Sequence, residues 1–201
     1  PGETEFPISL VTPDGVDGDI HCGVYEDAVT VVNIGLGPLV IDGISMVGDG
    51  WEFDDIELPV TLNTEEFLRI NVRSSGGSAT LTIQSNDPDV PLREVPLRVF
   101  QDEPPSISLL TPSSGDIISP GAFTMFEATV TDDFDLPEAL SIAWTSSVDG
   151  EVSTVPAAPD GVALLIWSGA ARSSGDHTVC VEAMDSCGQV ASTCTDICQN
   201  E

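Results

Sequence analysis

Apolar and polar residues alternate along most of this chain in short runs, with Gly, Pro, Asn and Asp between them. In the first half, Phe6-Pro7-Ile8-Ser9-Leu10-Val11 reads as an opening strand and Tyr25 to Ile34 as a second. Leu39, Ile41 and Ile44 mark a third, and Phe67, Leu68, Ile70 and Val72 a fourth. Ala79 to Ile83 alternates cleanly, and Val95, Leu97 and Val99 close the set. The second half repeats the pattern at Ile107/Leu109, Phe126/Ala128/Val130, Leu140/Ile142/Trp144, Val162/Leu164/Ile166 and Val179/Val181/Ala183. A period of two with one apolar face is the signature of a half-buried strand. No segment keeps a 3.6-residue period over three turns, so helices are expected only as single turns. The fold class is therefore all-β: two tandem antiparallel immunoglobulin-like β-sandwiches. Their cores are expected to centre on Ile41, Leu81 and Leu97, and on Val130, Trp144 and Val181.

The boundary falls at Gln101-Asp102-Glu103-Pro104-Pro105-Ser106, where two prolines remove amide donors and stiffen the chain. This divides the 201 residues into a module over 1–101, a Pro-rich linker over 102–106 and a module over 107–201. Each is long enough to bury its own core.

Within residues 6–100, Val31-Val32-Asn33-Ile34-Gly35, Gly37-Pro38-Leu39-Val40-Ile41 and Ser85-Asn86-Asp87-Pro88-Asp89 resemble the ASH/HYDIN-like immunoglobulin module. Bacterial surface proteins with choice-of-anchor D domains carry the same module. One departure is Val72 to Gly77, shorter than the family's usual Pro-containing loop. The second half resembles bacterial Ig-like, PKD- or cadherin-like repeats, through Ala128 to Asp133, Leu140 to Trp144, Ser147 to Gly150 and Gly175 to Val179. Both resemblances imply sandwiches that connect, space or present rather than catalyse.

Charge narrows the partners. There are 34 Asp+Glu against 5 Lys+Arg, all arginine, for a net charge of −29. Residues 1–100 hold 18 acids and 4 arginines (−14), and residues 101–201 hold 16 acids and 1 arginine (−15). Such a surface repels phosphate backbones and anionic membranes, so no nucleic acid and no membrane insertion are expected. The hydrophobic fraction of 41% excludes a disordered acidic tail, and no apolar run reaches the length of a membrane span. Even acidity suits a surface kept soluble in salt; clustered carboxylates also suit calcium. The acids that the B–C and F–G loops of the second module would gather are Asp132, Asp133, Asp135 and Asp185, joined by Asp102 and Glu103 from the linker. Merely hydrated loops remain the alternative, since no EF-hand spacing exists.

No enzyme is expected. The two histidines, His21 and His177, fall in different modules, and no zinc-protease, nucleophile-elbow or phosphate-loop motif is present. Asp54-Asp55 and Glu65-Glu66 read as solvated loop carboxylates, because adjacent strand residues face opposite ways. No cofactor is required, with calcium as the one candidate. The five cysteines, Cys22, Cys180, Cys187, Cys194 and Cys198, lack a zinc-knuckle spacing and point to disulfides outside the cytoplasm. A hairpin turn centred on Cys187 sets Cys180 opposite Cys194, within bonding range. Cys22 would then face Cys187 across the linker, either bridged to it or left as an isolated thiol. Cys198 stays unpaired or pairs with a neighbouring chain.

The absence of an initiator Met suggests a processed product or a piece of a longer chain. The expected role is a structural or adhesive module of a bacterial extracellular or cell-surface protein, in a fibre or filament. Its partners would be proteins, either copies of itself or neighbouring domains. The alternative is a carbohydrate- or protein-recognition module serving a secreted enzyme. That alternative would need an exposed aromatic platform, whereas aromatics are 5% of residues and most are expected on core faces.

Overall fold

The computed structural model describes residues 6–200. The chain divides into two compact units, ending and beginning at Asp102 and Glu103. In the first, the strands are β1 (Ser9–Thr12), β2 (Val16–Ile20), β3 (Tyr25–Asn33), β4 (Leu39–Gly48), β5 (Trp51–Phe53), β6 (Val60–Leu62), β7 (Phe67–Ser74), β8 (Gly77–Ser85) and β9 (Leu92–Gln101). They form two sheets, ordered β1-β3-β7-β5 and β2-β9-β8-β4-β6.

The second unit holds β10 (Ser106–Thr111), β11 (Asp116–Ile118), β12 (Phe123–Thr131), β13 (Ser141–Ser146), β14 (Gly150–Ser153), β15 (Val162–Ser168), β16 (Gly175–Met184) and β17 (Val190–Gln199). Its sheets run β10-β12-β15 and β11-β17-β16-β13-β14. Helix among the described residues is confined to two single 3₁₀ turns, Pro137–Ala139 and Gly169–Ala171. The protein is all-β, two tandem immunoglobulin-like sandwiches.

Alternation decides which side of each strand goes inside. On β7, Ile70, Val72 and Ser74 point into the core while Phe67, Arg69, Asn71 and Arg73 face solvent. Ile41, Leu81 and Leu97 lie in the first core together with Val29, Val31, Leu39 and Ile70. Val130, Trp144 and Val181 lie in the second, where Phe126 packs edge-on to Trp144 at 6.1 Å and tilted to Trp167 at 5.6 Å. Aromatic groups at such spacings contribute beyond their buried area.

Among the described residues, pairing is antiparallel except in two places. β2 runs parallel to β9 and β11 runs parallel to β17, so in each unit a short early strand crosses to pair with the last one. Four of the seven phenylalanines, Phe6, Phe67, Phe100 and Phe123, are exposed, against the expectation that aromatics sit on core faces. Phe67, Phe100 and Phe123 occupy the solvent phase of strands that alternate as expected, and Phe6 lies just before β1.

Candidate functional site

The polar residues of the first unit's recurring motifs work inside the fold. Asn33 is fully buried at the end of β3. Its Nδ2 donates to Gly37 O (2.8 Å) and Leu62 O (2.9 Å), and its Oδ1 accepts from Gly35 N (3.0 Å) and Ile8 N (3.4 Å). One amide therefore ties the chain before β1, the β3–β4 turn and β6 together. Gly35 follows because a Cβ there would meet Ile8 N and Phe6 O, both backbone, at 2.4 Å.

Asn86 repeats the device at the other sheet, accepting from Val40 N (2.7 Å) and donating to Pro38 O (3.2 Å). Asp87 is buried and accepts from Ser9 N (2.7 Å), Ser9 Oγ (2.8 Å), Asp89 N (3.0 Å) and Val90 N (3.2 Å). Burial alone would raise its pKa, but the hydrogen bonds from Ser9, Asp89 and Val90 outweigh it and hold the carboxyl below its ordinary value. The chemistry of these residues is consumed in stapling strands.

The acids expected to gather are distributed as follows. Asp102 ends the first unit, buried, with its amide donating to Ile20 O at 2.9 Å. In the second unit, Glu103 N donates to Asp133 Oδ1 (3.2 Å). Asp132 Oδ1 accepts from Phe134 N (2.9 Å) and Asp135 N (2.7 Å), curling the β12–β13 loop. Asp135 Oδ2 then accepts from Ser186 N at 2.8 Å, which joins that loop to the β16–β17 turn. Asp185, only 4% exposed, accepts from Cys187 N and Gln189 N through Oδ1, both at 2.8 Å.

Two oxygens stand out. Asp132 Oδ2 and Asp185 Oδ2 are buried and accept no hydrogen bond. A buried carboxylate oxygen without a donor is costly unless a cation satisfies it. Carboxylate oxygens suit a hard cation such as calcium.

Cys180 and Cys194 are directly opposed on β16 and β17 and joined as a disulfide, with Cα atoms 4.0 Å apart. Both sit in the outward phase of their strands, so the bond crosses the solvent face of the sheet rather than the core. Cys22 lies exposed in the loop after β2, and Cys187 half-buried in the β16–β17 turn. Cys198 is a free, half-buried thiol. The Asp176 carboxylate accepts its hydrogen bond and, with partial burial and its own charge, pushes the thiol pKa up. Thiolate is therefore scarce and reactivity low.

His177 is 1% exposed and pairs with Ser146, with Oγ 2.8 Å from Nδ1. Ser173 O, which can only accept, lies 2.9 Å from Nε2 and places the ring proton there. Ser146 Oγ also accepts from Val148 N and Asp149 N, and Trp167 packs edge-on to the imidazole at 5.1 Å. A serine so buried, with its oxygen already shared by two amides, presents no face to a substrate. The pair closes the end of β13 against β16. His21 is exposed in the loop after β2.

On the solvent face of the first unit's four-stranded sheet, Arg73 pairs with Glu52 and Asp54, Asn71 donates to Asp54 Oδ2 (2.9 Å) and Arg69 to Asn71 Oδ1 (3.0 Å). Glu26 and Asp27 complete the lining of this shallow concavity. Exposed pairs of this kind contribute little to stability. Glu65 and Glu66 are exposed in the turn before β7, whereas Asp54 belongs to the Arg73 network.

No family model matches the sequence, and no curated protein matches it either. Solved structures are similar in fold. A titin fragment spanning domains I67–I69, in an E-to-A variant, is 15% identical over 98% of this chain, with a TM-score of 0.45. The chain spans 66% and 64% of the two titin fragments it resembles. Fibronectin(III)-like modules of Clostridium thermocellum CbhA are 13% identical over 96% of this chain and 94% of theirs, with a TM-score of 0.40. The Yersinia pseudotuberculosis adhesin InvE is 11% identical over 98% of this chain and 61% of its own, with a TM-score of 0.34. Among the described residues, no helix is long and apolar enough to cross a membrane.

Proposed function

We propose that the chain is a non-enzymatic structural or adhesive module of a bacterial extracellular or cell-surface protein, working in a fibre or filament. In this reading the first unit is of the ASH/HYDIN-like type and the second of the PKD- or cadherin-like type. The observation that carries it is where the motif chemistry goes. Asn33, Asn86 and Asp87, the polar residues of the recurring motifs, spend their hydrogen bonds on strands of their own unit. A disulfide on a solvent-facing sheet surface supports an oxidising compartment.

The second reading, a recognition module accompanying a secreted enzyme, draws on the exposed Phe67, Phe100 and Phe123, since exposed rings can stack on sugars. Electron microscopy of the purified chain together with a glycan array separates the two. Concentration-dependent assemblies with no glycan signal are expected. Saturable binding to a defined glycan, lost on Phe67→Ala or Phe123→Ala, would replace the structural reading.

One finer feature belongs to the same proposal. Asp132 and Asp185, each with an unsatisfied buried oxygen, lead a calcium site that Asp133, Asp135 and Glu103 would complete.

A further inference from the structure

The solvent face of the β1-β3-β7-β5 sheet changes character along its length. Toward Arg73 it is the polar network already described. Toward the start of β1 it is an apolar ladder. The register in which Ser9 meets Asn33 and Leu10 meets Val32 continues outward, with Ile34 N donating to Ile8 O (2.9 Å) and Leu36 N to Phe6 O (3.1 Å). Phe6 thus stands opposite Leu36, Ile8 opposite Ile34 and Leu10 opposite Val32, while Phe67 of β7 meets Val32 from the other side. Phe6, Ile8, Leu10, Ile34, Leu36 and Phe67 are between 44% and 64% exposed, and among the described residues no charged one interrupts the ladder.

Six large apolar groups exposed to this degree make a patch on the order of 600 Å², at the upper end of what monomers leave in water. Two such faces in contact would bury on the order of 1,200 Å², where specific interfaces begin. Strand addition at the β1 edge is a poor use of this surface, because Ser9 N on that edge is already held by Asp87. The occupant covers the face.

The border charges say which occupant. On β7, Arg69 follows the patch, opposite Thr30, and Glu65 and Glu66 precede it in the turn held against Asn33. A second copy laid face to face with its strands reversed sets the Arg69 of each over the Glu65-Glu66 turn of the other. Unlike charges then meet on either side of Phe67, a self-complementary arrangement that closes at two. The opposing force is the net charge of −29 on each copy, which salt screens.

We propose that the chain forms a face-to-face antiparallel homodimer through this apolar ladder, and that the dimer strengthens as ionic strength rises. The proposal deepens the reading of the chain as a structural module by naming its partner as a second copy. Sedimentation velocity of the full chain between 0.05 and 1 M sodium chloride tests it. Dimerisation at least tenfold tighter at the higher salt is expected. Phe67→Asp and Ile34→Asp should each weaken it at least tenfold, with the far-UV spectrum and melting temperature of the variants retained. Arg69→Glu should weaken it severalfold, and Glu65→Arg with Glu66→Arg in the same chain should restore it. A monomer at every salt concentration, a dimer indifferent to both Asp variants, or one abolished instead by Ile166→Asp on the second unit would overturn the proposal. A monomeric result leaves the structural role standing, and glycan binding by a dimer would remove that role while leaving the interface.

Discussion

A single amide, that of Asn33, satisfies two carbonyls and two amides from three stretches of the first unit. Replacing it with Leu keeps the volume and strands those partners in a buried site. The variant should lose about 3 kcal/mol or more in urea denaturation, and a loss below ~1 kcal/mol would show that water replaces the amide. Asp87 makes a complementary prediction through pH. Its folded pKa lies below the unfolded value of about 3.9, so its contribution is complete above that value. The contribution is lost as pH falls through the folded pKa. Asp87→Asn should therefore flatten the acid limb of stability against pH and lower the plateau near neutrality; an unchanged acid limb would assign it to other carboxylates. Both residues stood in motifs visible in the sequence, but their roles did not, because Asp87 meets Ser9 from 78 positions away. Pattern reveals which residues alternate, and it carries no information about which distant amide a buried carboxylate will accept from.

Long strands were legible and short ones were not. β3, β8 and β16, each nine or ten residues, announce themselves by alternation. β5, β6 and β11 have three residues each, too few to display a period, and are held by their neighbours rather than by their own pattern. β2, with the sequence Val-Asp-Gly-Asp-Ile, reads as a turn and becomes a strand only because β9 offers it a parallel partner. The β16–β17 hairpin is the opposite case. Its turn residues fix a register in which Cys180 meets Cys194, as turn geometry requires. Their bond closes a loop of 14 positions, for which chain-entropy arguments give about 3 kcal/mol. Cys180→Ser with Cys194→Ser should lower the melting temperature of the second unit. Calorimetry checks it, and an unchanged transition would show that the bond adds nothing to that unit's stability.

At the level of the whole molecule, charge sets the conditions under which everything else operates. The patch was hard to foresee, because solvent-facing positions obey no burial rule and their grouping depends on how strands are stacked; the acidic loops were legible, because strand order alone set the Asp132–Asp135 loop beside the turn at Asp185. Calcium provides the check on the acidic loops. Millimolar calcium should raise the melting temperature of the chain, and Asp185→Asn should abolish that increment while magnesium, which demands a tighter octahedron, gives less. Equal responses of the wild type and the variant would reduce the loops to hydrated acids.

The two parallel pairings have a mechanical meaning. When a unit is drawn out by its two ends, its early strand is pulled one way and its last strand the other, along the direction both share. The hydrogen bonds between them are then loaded sideways and all at once, and cannot open in succession like a zip. The first unit has five residue pairs in this clamp, Val16 with Leu97 through Ile20 with Gln101, and the second has three, Asp116 with Ile197 through Ile118 with Gln199. Under tension the second unit is expected to yield first, at the lower force in single-molecule stretching. Its Cys180–Cys194 bond then withholds the hairpin, some 14 positions of contour or about 50 Å of extension, from the stretched chain.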